Sequence, residues 1–115
     1  MPPTLSVCNT DSLAEQLQRA CPAARVVKGF NTMSCEVMVA PSAIEGHHTA
    51  FIAGEDAEAK QTVRSLMVGM GWPEEDIMDL GGLDAARGME MYLPLWLRLF
   101  MSTGSRYLNV EVKAG

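Results

Sequence analysis

Ala24-Arg25-Val26-Val27-Lys28-Gly29-Phe30-Asn31-Thr32 is the stretch that decides how the rest of the chain is read. A β-branched and aromatic run between Pro22 and an Asn-Thr turn predicts a strand over Arg25 to Phe30, set in the middle of a sheet. In open α/β sheets, residues just past the carboxyl end of such a strand line the ligand crevice. Lys28, Phe30, Asn31 and Thr32 are therefore candidates for ligand contact. Asn at a strand end is more often only a turn former, and on pattern alone that reading is preferred to ligand contact.

Working back from this strand, Ser12 and Glu15 have capping-box spacing, and Leu13, Leu17 and Ala20 recur at helical period. Pro22 ends that helix. Met1 to Asn9, with Pro2, Pro3 and the apolar Leu5 to Cys8, reads as either a stub of strand or a frayed leader. Working forward, Ser34 to Ala40 predicts a short helix with Val37 and Met38 inward, and Pro41 to His48 a loop. Thr49 to Ala53 is a second buried strand. Asp56 caps the clearest helix, whose stripe is Val63, Leu66, Met67 and Met70, with Glu58, Lys60 and Arg64 toward solvent and Gly71 as the stop.

Glu75 to Leu80 predicts a third strand with Ile77 and Met78 buried, and Gly81-Gly82 a flexible turn. Asp84 caps a long helix to Met101 that Pro94 should kink. Tyr107 to Val112 alternates like a terminal strand or an extended tail. Strands alternating with helices predict an α/β fold: a short parallel sheet with right-handed crossovers and helices on its faces, in one domain over 1–115.

At 115 residues the chain is long enough for one core without staples, and 48% hydrophobic with 20% charged residues is a globular balance. A net charge of −5 argues against a nucleic-acid partner. Cys8, Cys21 and Cys35 have no metal-ligand spacing and read as reduced thiols of a cytoplasmic protein. The amino end lacks a secretory pattern, and Met91 to Met101 is too short and interrupted to cross a membrane.

No G-x-G-x-x-G follows a strand, so the turn that would hold a dinucleotide's pyrophosphate at a helix N-terminus is not in this sequence. His47 and His48 are adjacent and have no third ligand, so a solvated pair is preferred to a metal site. Glu74, Glu75 and Asp76 read as a solvated cap rather than a catalytic carboxylate pair. The helix over 84–101 is apolar around more than one face, which suits core together with subunit contact. No catalytic side chain and no metal site is predicted.

Val26-Val27-Lys28-Gly29-Phe30-Asn31-Thr32, Ala53-Gly54-Glu55-Asp56-Ala57-Glu58-Ala59-Lys60 and Asp79-Leu80-Gly81-Gly82-Leu83-Asp84-Ala85-Ala86-Arg87 together resemble the C-terminal half of the deazaflavin (coenzyme F-420)-dependent NADP reductases. The same module is similar to the oxidoreductase domain of six-transmembrane ferric reductases. The resemblance runs from about Ser12 to Phe100, with Gly29 in place of the family's usual alanine.

It implies half of a Rossmann-like fold and a parent reaction of hydride transfer between NADP(H) and a deazaflavin or flavin. It implies that Phe30, Asn31 and Thr32 border the nicotinamide, with Gly81 and Gly82 as further cofactor neighbours. The family's glycine-rich first half has no counterpart here, so the isolated chain is expected to be incomplete or inactive and to bind little or no cofactor.

A half-sheet leaves one flank unpaired, here at the strand over Arg25 to Phe30, unless the Leu5 to Cys8 piece covers it. The expected remedy is a homodimer through the exposed sheet edge and the apolar helix over 84–101. The alternative function is a non-catalytic dimerisation or assembly module derived from the same fold.

Overall fold

The computed structural model describes residues 3–115; the part of the amino-terminal stub at Met1 and Pro2 lies outside them. Helix α1 spans Leu13–Ala20. Its cap is the expected box: the Glu15 amide donates to Ser12 Oγ at 3.2 Å, and that hydroxyl donates to Glu15 Oε2 at 2.7 Å. The apolar stripe, however, points the other way. Leu13 and Leu17 are 67% and 53% exposed, while Ser12 is fully buried.

Polar anchors decide this orientation. Arg87 donates twice to Glu15, at 3.0 and 2.7 Å, and Gln18 bonds the Cys21 and Ala24 carbonyls and the Val26 amide. These contacts hold the polar face of α1 inward and leave its leucines outside.

The Glu15 cluster predicts a pH dependence. Hydrogen bonds from Arg87 and then Ser12 hold the Glu15 carboxyl below its ordinary 4.5, so the folded state binds fewer protons than the unfolded. That contribution is complete above the ordinary value and is lost as the pH falls through the lowered folded one. Urea midpoints measured from neutral pH downward should therefore fall less steeply in Glu15→Gln than in the native chain. Equal slopes would remove Glu15 from the acid response.

Strand β1 is Val27–Gly29, shorter than the Arg25 to Phe30 expectation. Phe30 and Asn31 then take left-handed backbone angles (φ 60° and 50°), which stops the strand. Helix α2 covers Cys35–Val39 with Val37 buried, as expected, and a 3-10 turn at Pro41–Ala43 opens the loop to β2, Ala50–Gly54. Helix α3 spans Ala57–Gly69, capped by Asp56, which accepts the Ala59 amide at 2.7 Å; Gly71 follows at φ 111°. A 3-10 turn at Glu74–Asp76 leads into β3, Ile77–Asp79.

The three strands form one sheet in the order β1-β2-β3. β2 and β3 are parallel with α3 between them in sequence, as predicted, but β1 runs antiparallel to β2 and sits at the edge. The half-Rossmann character and the unpaired flank at this strand hold; the all-parallel sheet does not. The connection explains the reversal. A five-residue α2 reaches only about 7.5 Å, too little to return the chain over the sheet, so it re-enters from the end at which β1 stopped.

The core joins Met33, Val37, Ala50, Ile52, Met67, Trp72 and Ile77. Trp72 donates its indole N–H to the Met38 carbonyl at 2.9 Å and meets the His48 ring edge-on with centroids 5.0 Å apart. Of the predicted α3 stripe, Met67 is buried and Val63 half-buried, but Leu66 and Met70 are exposed. Only one row of the helix reaches the sheet. Lys60 and Arg64 do not face free solvent: Lys60 pairs with Asp79, and Arg64 donates to the Ile77 carbonyl. Met78 is likewise exposed where burial was expected.

The long terminal helix is divided. A 3-10 turn at Leu83–Ala85 precedes α4, Ala86–Met91, and α5 runs Leu93–Thr103 with Pro94 in its first turn. Proline at that position breaks the helix at Tyr92 instead of kinking it. No α5 side chain is fully buried. Residues 107–112 form an extended tail, not a strand, held where Thr49 donates to the Val110 carbonyl at 2.8 Å and the Val112 amide to Thr49 Oγ1 at 3.1 Å. No described helix is long and apolar enough to cross a membrane.

Candidate functional site

Phe30 and Asn31 are consecutive non-glycine residues in the left-handed region, and Phe30 is bulky enough for that conformation to be costly. Surrounding contacts hold it. The Thr32 amide donates back to the Phe30 carbonyl at 2.8 Å, and Asn31 Nδ2 donates to the Met89 carbonyl of α4 at 3.0 Å. Lys28 forms an ion pair with Glu90 on the same helix. The strand end and α4 are thereby tied by neighbouring bonds.

Two acceptors at this corner are unused. Asn31 Oδ1 and Thr32 Oγ1 are buried without a hydrogen-bond partner among the described residues. Tyr92 Oη and Trp96 Nε1, on the segment that continues from α4, are buried and unpartnered as well. Burial pushes the Tyr92 phenol above its ordinary value and keeps its proton in place. Asn109 Oδ1, on the carboxyl-terminal tail beside His48, is the fifth such atom. Buried polar atoms without partners are uncommon in folded chains, and the consecutive pair at Asn31 and Thr32, where the backbone is strained, marks a candidate ligand contact.

Gly81 and Gly82 stand elsewhere. The Gly54 amide at the carboxyl end of β2 donates to the Gly81 carbonyl at 3.0 Å, while the β1 register brings Asn31 beside the amino end of β2. β1 runs antiparallel to β2, so the turn after its carboxyl end lies toward the amino end of β2, while Gly81 bonds the carboxyl end. The segment from Leu83 through α4 connects them. At the glycine turn Gly81 takes φ 99°, and a Cβ on Gly82 would lie 3.0 Å from Glu55 Oε1. Asp79 accepts the Gly81 amide at 2.8 Å and pairs with Lys60. Burial works against the Asp79 charge, but these two donors outweigh it and hold the carboxyl below its ordinary value.

His47 is exposed and meets Asp76 at 3.0 Å. His48 is buried: its Nε2 donates to the Pro41 carbonyl at 2.8 Å, so Nδ1 accepts from Asn109 Nδ2 at 2.8 Å. Both ring nitrogens are spent on structure. Among the described residues no three His, Cys, Asp or Glu side chains come together as a metal site, and the three cysteines are unpaired.

The Met89 and Glu90 contacts escaped sequence reading because 58 and 62 residues separate them from their partners. No local pattern announces such a bond.

The fold is that of a portion of a Rossmann-like domain. The chain is a relative of the NADP-dependent oxidoreductases. It superimposes on the solved structure of a protein from Arthrobacter sp. FB24, assigned as an F420-dependent NADP reductase, with a TM-score of 0.93 and 45% identity, over 99% of this chain and 51% of that one. It is also 36% identical over 89 residues, 74% of this chain and 17% of the other, to Metalloreductase STEAP3 of Rattus norvegicus. The chain thus spans about half of the first relative and a smaller share of the second. No protein-family model matches it.

Proposed function

We propose that Phe30, Asn31 and Thr32 border the nicotinamide of NADP(H) in a reductase whose electron partner is a deazaflavin or flavin. The observation that carries this reading is the left-handed Phe30-Asn31 turn with Asn31 Oδ1 and Thr32 Oγ1 buried and unpaired beside it. A carboxamide supplies two N–H donors, which suits two acceptors so placed. The bound nicotinamide would supply hydride chemistry; the chain's own residues bind and orient. Asn31, fixed by Met89, holds its free oxygen in one direction. Lys28 is neutralised by Glu90, so this end carries little net charge. Gly81 and Gly82 would take part from the carboxyl end of β2, on the electron-acceptor side.

The sequence has no glycine-rich phosphate turn, so most of the affinity for a full dinucleotide must come from outside these residues. Titration with NADPH, read by nicotinamide fluorescence and by thermal shift, tests the site. A Kd below about 100 μM, over 5 kcal/mol, that weakens in Asn31→Ala or Thr32→Ala supports it. No response at millimolar ligand favours a second reading, a non-catalytic assembly module, for which the apolar side chains exposed on α5, Leu95 and Met101, speak. Three unpaired cysteines fit a reducing compartment such as the cytoplasm.

A further inference from the structure

The tail over residues 105–112 is held beside the amino ends of α2 and β2 chiefly by polar bonds. No side chain in this stretch is fully buried, and Tyr107 and Val112 are exposed. Little apolar surface keeps it in place, and such a segment detaches at low cost. At α2, Ser34 Oγ donates to the Arg106 carbonyl at 3.0 Å and Arg106 pairs with Glu36 at 2.7 Å. At β2, Thr49 donates its amide to the Val110 carbonyl and accepts the Val112 amide on Oγ1. Asn109 supplies the remaining contacts, and one of these ends on the His48 ring.

That ring is 4% exposed, and its tautomer is fixed from both sides. The Pro41 carbonyl needs a donor, so Nε2 carries the hydrogen. The Thr49 carbonyl, 3.0 Å from Asn109 Nδ2, also needs a donor, so the amide turns its nitrogen this way and points its other N–H at His48 Nδ1, at 2.8 Å. Only the neutral ring can accept it. A proton from solvent on Nδ1 would set donor against donor. Turning the Asn109 amide over would satisfy the ring but aim Oδ1 at the Thr49 carbonyl. Either way a bond between tail and body is lost at a buried site.

We propose that this tail is a detachable strap, latched while His48 is neutral and released when the ring takes up a proton. The latched state is therefore favoured at high pH and lost as the pH falls. Among the described residues no charged group bonds the ring; its third neighbour is the edge of Trp72. The charges around it are mostly paired. His47 meets Asp76 in the groove that Glu45 also lines, and on the tail side Glu36 pairs with Arg106 and Glu111 with Lys113. Hydrogen bonds from its own backbone amide and then the Cys35 thiol hold Glu36 below its ordinary value, so the Arg106 end stays tied while histidines titrate.

Amide exchange, expressed as protection relative to the Met67 amide of α3, reads the latch. Between about pH 8 and about pH 5, the span in which histidines charge, the Thr49 and Val112 amides should lose about tenfold in protection, the worth of one hydrogen bond. His48→Gln offers a donor and an acceptor without a titrating ring, and should keep its protection throughout. It also leaves His47 in place, which separates the two rings. Asn109→Asp faces the ring with a carboxylate that only a protonated His48 can bond, so its protection should rise as the pH falls.

Equal protection at both ends of that range overturns the proposal. So does a loss that persists in His48→Gln, or an Asn109→Asp chain that loosens in acid as the native one does. If His48→Gln fails to fold, the direction seen in Asn109→Asp decides. None of these measurements involves a nucleotide, so they stand or fall separately from the NADP reading.

Discussion

Trp72→Ala is expected to destabilise the chain by about 3–5 kcal/mol, the largest effect of any single substitution considered. Trp72 is 1% exposed and is the largest fully buried side chain. It sits where β2, α2 and α3 meet, in contact with the His48 ring, and its indole N–H satisfies the Met38 carbonyl. Truncation removes the packing, opens a cavity and leaves a part-buried carbonyl without its indole donor, and these losses add.

Trp72→Phe separates the parts. It keeps most of the aromatic volume and loses the hydrogen bond, so a cost of about 1–2 kcal/mol is expected. Urea unfolding followed by circular dichroism measures both. If Trp72→Ala cost under about 1 kcal/mol, the residue would not be the anchor of this core.

The second large effect concerns the strand-end turn. Asn31→Val should cost about 2–3 kcal/mol, since a β-branched side chain resists φ 50° and the bond to Met89 is lost. Asn31→Gly loses the same bond but tolerates the backbone, and should cost about 1 kcal/mol. The order of the two variants is the informative result. Valine tolerated as well as glycine would mean that the turn is not left-handed in solution, and the proposed ligand corner would lose its geometric basis.

Several elements were legible in the sequence because their signals act over a few residues. The Ser12-Glu15 box and the Asp56 cap each place a side-chain oxygen on an amide three positions on, and that spacing is visible in any sequence. The β-branched and apolar run at Thr49 to Ala53 marks β2 to within a residue. The three motifs that suggested the NADP reductases correspond to a real structural likeness, matched over nearly the whole chain. The Phe30-Asn31-Thr32 candidates do occupy a strand end, and its backbone is strained.

Other features depended on the whole fold. Periodicity names the apolar residues of a helix but not the face that wins the core. Leu13 and Leu17 lost to the Ser12-Glu15-Arg87 and Gln18 anchors, and Leu66 and Met70 lost to the Val63 and Met67 row. The direction of β1 was equally hidden. A strand's own residues are much the same whether its neighbour runs parallel or antiparallel; what decides is whether the following segment can carry the chain back.

By itself, then, the sequence determined the Ser12 and Asp56 caps, the three runs that become strands and which reductases this chain is related to, because each of those rests on neighbours along the chain; Asp84, expected to cap the last helix, lies inside a 3-10 turn and caps none. Only the tertiary structure decided that β1 runs antiparallel to β2, that Asn31 leans on Met89 and that Gly81 bonds the carboxyl end of β2. Those outcomes come from contacts between residues many positions apart, whose free energy no local pattern contains.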